Sequence, residues 1–185
     1  MKAKLCVLII FGFGMMSCMP VAKLIYGVHQ PRYLSNEDVI RYANRLGLQD
    51  DIYRLKDYNE ANISRFRYTG NSMPGILLFN SSGQLTKFES SCSSGLDSIA
   101  KLSPQEIDKL SLAGNTLTDF IGDTYVINDL NNEVLTSLKM PLYVVKFAEY
   151  AGMLNKDNVP ALVERLSNRT DVQFIVLNVD YSIKA

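Results

Sequence analysis

The sequence predicts an α/β domain built as a three-layer sandwich, a central mixed sheet with flanking helices. Two stretches carry that prediction. Residues 141–180 read as strand, loop, helix, strand. Leu142 to Phe147 is a β-rich run bounded by Pro141, Val159, Leu162, Val163 and Leu166 recur at helical spacing, and Phe174 to Val179 is a continuous apolar run suited to a strand buried on both faces. Two such strands joined by a helix imply a right-handed parallel crossover. Residues 72–88 read as a hairpin, in which Asn80-Ser81-Ser82-Gly83 joins two strands and Gly83 supplies the positive φ of a tight turn.

The bounds are those of one globular domain. The chain has 185 residues, 47% of them hydrophobic and 21% charged, enough to bury a core. Its formal net charge is zero, so there is no electrostatic footprint for nucleic acid or anionic lipid. One His (His29), three Cys and no Trp are too poor an inventory for most metal sites, and no cofactor is expected. His29 has no Ser or Cys partner in a motif, no stretch has the form of a phosphate-binding loop, and the scattered carboxylates cannot be paired.

The N-terminus carries the clearest targeting signal. Lys2 and Lys4 precede an apolar run from Leu5 to Met16 that is too short to span a bilayer as a mature helix. It ends in Met15-Met16-Ser17-Cys18, which resembles a bacterial lipobox of the looser Bacteroidetes kind, in which Cys18 is lipidated after cleavage. The alternative is an ordinary secretory signal with a chance Cys. On the lipobox reading, residues 1–17 are signal peptide, 18–23 a lipidated tether and 24–185 a single domain. The acyl chains on Cys18 suffice for stable anchoring. Cys6 leaves with the signal and Cys18 carries lipid, so Cys92 remains without an intramolecular disulfide partner.

Residues 24–28 (LIYGV) are expected to form a strand that Pro31 breaks. Ser35-Asn36-Glu37-Asp38 opens a helix in a capping-box arrangement, Val39, Ile40, Ala43 and Leu46 keep helical spacing, and Gly47 ends it. Residues 52–55 suggest a short strand and 59–68 a weak helix. After the hairpin, Ser90-Ser91-Cys92-Ser93-Ser94-Gly95 precedes a helix over 96–102. There the helix dipole would favour a Cys92 thiolate, although a small semi-buried Cys fits the same pattern. Ser103-Pro104-Gln105-Glu106 starts a further helix, with Ile107, Leu110 and Leu112 on one face before Gly114. Residues 103–140 read as a connection holding one strand and a short helix near 133–138. Asp157 or Asn158 is the expected cap of the last helix.

Taken together, these pieces resemble a thioredoxin-like fold. Phe147-Ala148-Glu149-Tyr150-Ala151-Gly152, Pro160-Ala161-Leu162 and Leu177-Asn178-Val179-Asp180 resemble its first third, and residues 35–102, with Met73-Pro74 leading into a buried strand, its last two thirds. The order is reversed along the chain. Either the fold is circularly permuted, or residues 24–102 form a complete unit that 141–181 extends by a C-terminal βαβ. In that family the proline at Pro74 is cis and walls the active-site groove, whereas an ordinary trans proline at a strand start fits the residues equally. The resemblance puts Ala151 and Leu154 where cysteines would stand, so no dithiol oxidoreductase activity is expected.

More finely, the chain resembles a family of uncharacterised Bacteroidetes lipoproteins. The matching pieces are Gly27-Val28 with Pro31, Ser72-Met73-Pro74, Phe79-Asn80 with Gly83, Cys92-Ser93-Ser94-Gly95-Leu96-Asp97, Tyr150-Ala151-Gly152-Met153-Leu154-Asn155-Lys156-Asp157 and Asn178-Val179-Asp180-Tyr181. The resemblance implies a lipid-anchored protein of the cell envelope, and the lack of an acidic run after Cys18 favours the periplasmic face of the outer membrane over the cell surface. Two functions stand. One is a non-catalytic module whose groove, lined by Met73, Pro74, Tyr150, Ala151, Gly152, Asn155, Lys156 and Asp157, binds an envelope protein or peptide. The other is a single-cysteine redox or peroxide-sensing protein acting through Cys92.

Overall fold

The computed structural model describes residues 25–29, 32–48, 52–55, 75–88, 93–121, 126–128, 133–134 and 138–182. The strands are β1 (Tyr33–Leu34), β2 (Ile52–Leu55), β3 (Gly75–Phe79), β4 (Gln84–Thr86), β5 (Leu112–Thr116), β6 (Val126–Asn128), β7 (Glu133–Val134), β8 (Leu142–Phe147), β9 (Gln173–Asn178) and β10 (Tyr181–Ser182). The helices are α1 (Asn36–Arg45), α2 (Ser93–Ile99), α3 (Pro104–Ile107), α4 (Leu117–Ile121) and α5 (Met153–Ser167). No helix of the described residues is long and apolar enough to cross a membrane.

The fold is α/β with a mixed open sheet in the order β5-β4-β3-β8-β9-β2-β6-β7. Three strands run parallel, β8 beside β9 and β9 beside β2. The outer pairings, β8 with β3, β3 with β4 and β2 with β6, are antiparallel. Residues 141–180 therefore do not extend an edge. Their two strands enter the middle of the sheet, between the hairpin and β2. All residues of β3 and β8 are buried, as expected of central strands covered on both faces. Tyr143, Val145 and Phe147 face one side, with Ile76, Leu78, Val39, Ala43, Val159, Leu162 and Leu166. Leu142, Val144, Leu77, Phe79, Ile175 and Leu177 face the other.

Local signals explain most elements. Ser35 caps α1 in a full capping box with Asp38, and Ser103 caps α3 likewise with Glu106. The Ser35 hydrogen bonds hold the Asp38 carboxyl below its ordinary value. Asn80 Oδ1 accepts from the amides of Ser82 and Gln84, closing the hairpin, and Gly83 sits at φ 71°. The Met140–Pro141 peptide bond is cis.

Several expectations are corrected. Ile25 and Tyr26 lie in a helical turn, not a strand, because Gly27 at φ 64° redirects the chain toward the end of β8. Helix α2 begins at Ser93, before the expected start at Leu96. Leu112 belongs to β5 instead of a helix face, since β4 offers it an open edge and Lys87 N donates to the Ser111 carbonyl at 2.6 Å. Glu133–Val134 pairs with β6 as strand, where a short helix was expected. Helix α5 starts at Met153 rather than at a cap on Asp157 or Asn158, and Pro160 lies inside it. The carbonyl that loses its donor to this proline belongs to Lys156, which faces solvent, so the helix tolerates the break. The expected helix over 59–68 lies outside the described residues.

Candidate functional site

Ligand sites in open α/β sheets gather at the carboxyl ends of the parallel strands. Here the chain leaves β8 at Phe147, makes a 3-10 turn over Glu149–Ala151 and enters α5 through Gly152 at φ 56°, ψ −130°. Asn155, fully buried in the first turn of α5, ties this corner together. Its Nδ2 donates to the Ala148 carbonyl at 2.6 Å and to the Tyr42 hydroxyl at 2.9 Å. Tyr42 in turn donates to the Gly152 carbonyl at 3.3 Å and stacks on Phe147. Burial pushes the Tyr42 hydroxyl pKa up, partly offset by the Asn155 hydrogen bond.

A buried carboxylate supports the turn from the other side. Asp180, just past β9, is 1% exposed, and its Oδ2 accepts from the Glu149 amide at 2.7 Å and from Asn178 Nδ2 at 2.8 Å. Burial raises its pKa, and the hydrogen bonds from Glu149 and Asn178 work against that rise. With its backbone held by Asp180, Glu149 directs its largely covered side chain toward the segment before α1. There it meets His29 Nε2 at 3.0 Å and an Arg32 guanidinium nitrogen at 2.9 Å.

The N-terminal segment 25–29 lies over this corner. His29 N donates to the Tyr150 carbonyl at 3.0 Å. The Tyr26 and Gly27 carbonyls press so closely on Gly152 that a β-carbon there would meet both, the second at 2.8 Å. Glycine is required at 152 twice over, by its positive φ and by this approach.

Of the residues singled out in the sequence, Tyr150, Ala151, Gly152 and Asn155 are brought together. Tyr150, Ala151 and Asn155 are buried and hold the corner, Gly152 carries the segment above it, and Lys156 and Asp157 are exposed on α5. Met73, Pro74, Cys18 and Cys92 lie outside the described residues. Sequence reasoning did not single out Glu149, Asp180, Asn178 or Tyr42, whose roles depend on tertiary contacts. It also passed over Lys146, which is fully buried on β8 between Gly75 and Leu177, with its pKa lowered by burial to about 8. A charged residue inside the apolar run LYVVKF was the available signal.

The corner presents acceptors: a main-chain carbonyl at Tyr150 and the Glu149 carboxylate. From Ala148 to Lys156 it holds no Cys, Ser or Thr to act as a nucleophile. Among the described residues no group of His, Cys, Asp or Glu is arranged to hold a metal ion. No family model, curated protein or solved structure matches the chain.

Proposed function

We propose that the protein is a lipid-anchored envelope lipoprotein whose domain is a thioredoxin-like sandwich in permuted order, and that it binds a peptide segment of a partner protein at the Glu149–Gly152 corner. The fold reading is supported by the strand sequence β4-β3-β8-β9, with β8 and β9 parallel and the hairpin antiparallel to them. That order agrees with a thioredoxin-like arrangement entered at a different point of the chain. The anchor rests on the lipobox ending at Cys18, and the family resemblance agrees with it.

The observation that carries the binding reading is the seating of the chain's own residues 25–29 and Arg32 on the corner. They use a main-chain hydrogen bond to Tyr150, a contact of His29 Nε2 with Glu149 and an ion pair of Arg32 with Glu149. With Arg32 63% exposed, its pair with Glu149 contributes only ~0.2–1 kcal/mol. Another peptide with an N–H donor and a cation at the same spacing can compete for the Tyr150 carbonyl and the Glu149 carboxylate. The partner class is therefore a peptide with basic side chains.

The test uses a fluorescein-labelled peptide of residues 25–32, titrated by anisotropy against the full chain in detergent. A chain carrying His29→Ala and Arg32→Ala, whose own segment is loosened, should bind it at least tenfold more tightly than the unaltered chain. Glu149→Ala should remove binding. Absence of saturable binding to every form would defeat the reading. Palmitate labelling of the unaltered chain and of Cys18→Ala tests the anchor, and equal labelling would refute it.

A further inference from the structure

We propose that the face carrying Ile25, Tyr26 and Met153 docks on the lipid surface in which Cys18 is anchored. The inference rests on the anchor reading above and adds an orientation to it. Among the described residues the large hydrophobic side chains left exposed are Ile25 (56%), Tyr26 (42%), Tyr33 (65%), Leu112 (45%) and Met153 (52%). Leu112 stands apart, on the edge strand β5. Ile25 and Tyr26 lie close to Met153 along the backbone, because the Tyr26 carbonyl presses on Gly152, the residue before Met153. Tyr33 adjoins Arg32, which reaches the same corner through Glu149.

Chain length then says what covers this spot. Ile25 follows Cys18 by seven residues, a link that spans at most about 25 Å when fully extended. A domain of this size is about 40 Å across, taken from a radius of gyration of about 15 Å. A tether shorter than the domain keeps the Ile25 end at the bilayer. Ile, Met and Tyr side chains suit that place, the tyrosine having an apolar body and a polar tip that favour the membrane interface. The occupant is thus the lipid surface.

The experiment uses the full chain reconstituted into phosphatidylethanolamine–phosphatidylglycerol vesicles that contain a headgroup-proximal spin-labelled lipid. Fluorophores are attached at Met153→Cys, at Tyr26→Cys, and at Thr170→Cys, each in a Cys92→Ser background. Thr170 is exposed beyond the far end of α5, a helix about 22 Å long that begins at Met153. Quenching at least threefold stronger at 153 and 26 than at 170 is the expected result. A chain that floats with the vesicles but quenches equally at all three positions overturns the docking and leaves the anchor standing. A chain that does not float with the vesicles overturns both.

Discussion

The carbonyl oxygen of Gly27 stands 2.8 Å from the point where a β-carbon on Gly152 would lie. This approach joins the start of the domain to the entrance of α5, and both neighbours at the contact are main chain. Neither can turn aside as a flexible side chain would. Gly152→Ala should therefore combine left-handed backbone strain with expulsion of residues 25–29, a cost of about 1–3 kcal/mol. Thermal unfolding with limited proteolysis of the N-terminal segment measures it. An unchanged melting temperature and unchanged protection would remove the contact from the native state.

Asn155 and Tyr42 share one hydrogen-bond network, from the Ala148 carbonyl through Asn155 Nδ2 to the Tyr42 hydroxyl. Asn155→Ala should cost about 1–2 kcal/mol, because it removes one hydrogen bond to the Ala148 carbonyl, which keeps the Ala151 amide as a donor, and one to the half-buried Tyr42 hydroxyl. Tyr42→Phe should cost about 1 kcal/mol. Since the two residues touch, the double variant should lose less than the separate losses together, with an interaction of at least ~0.5 kcal/mol. Urea unfolding of the four chains decides it, and strict additivity would contradict the network.

How far these features could be read beforehand depended on the range of the interactions behind them. Strand Leu142–Phe147, the hairpin around Gly83 and the capped start of α1 at Ser35 are written in neighbouring residues, and the sequence reading found all three. The central position of β8 and β9 was left open, because strand order depends on pairings far apart in the chain, such as Ile76 with Val145. The early start of α5 was missed because Asp157 and Asn158 read as caps of a later helix beginning. What holds the earlier turn is Asn155, bonded to the distant Tyr42. Glu133–Val134 was misread for a similar reason: two residues become strand only through β6 beside them. At the site, Gly152 and Asn155 stood out locally, whereas Glu149 and Asp180 gained meaning only when β8 and β9 ended side by side.

Asp180 makes stability depend on pH in the acid range. Burial raises its folded-state pKa above the ordinary aspartate value, so the folded chain holds this proton more tightly than the unfolded chain. Its contribution is fully favourable below the unfolded-state pKa and is lost as pH rises through the folded-state value. Asp180→Asn keeps an oxygen to accept from Glu149 N and cannot ionise. The variant should gain on the unaltered chain as pH is raised from 3.5 to 7, and the gap should close again in acid. Urea midpoints across that range measure the gap. A gap independent of pH would mean that Asp180 does not titrate differently in the folded state.

Lys146 acts in the alkaline range and with the opposite slope. Desolvation lowers its folded-state pKa from 10.5 to about 8. Between those values the unfolded chain binds the proton that the folded chain has released, so stability rises with pH from about 8 to about 10.5. At 1.36 kcal/mol per pKa unit the full rise is on the order of 3 kcal/mol. Lys146→Met keeps the length of the side chain and removes the charge, so it should flatten this rise. Urea unfolding of both chains at pH 7, 8, 9 and 10 gives the two slopes. Parallel slopes would show that the Lys146 ammonium is solvated in the folded protein, and that the second face of the sheet admits water beside Leu177.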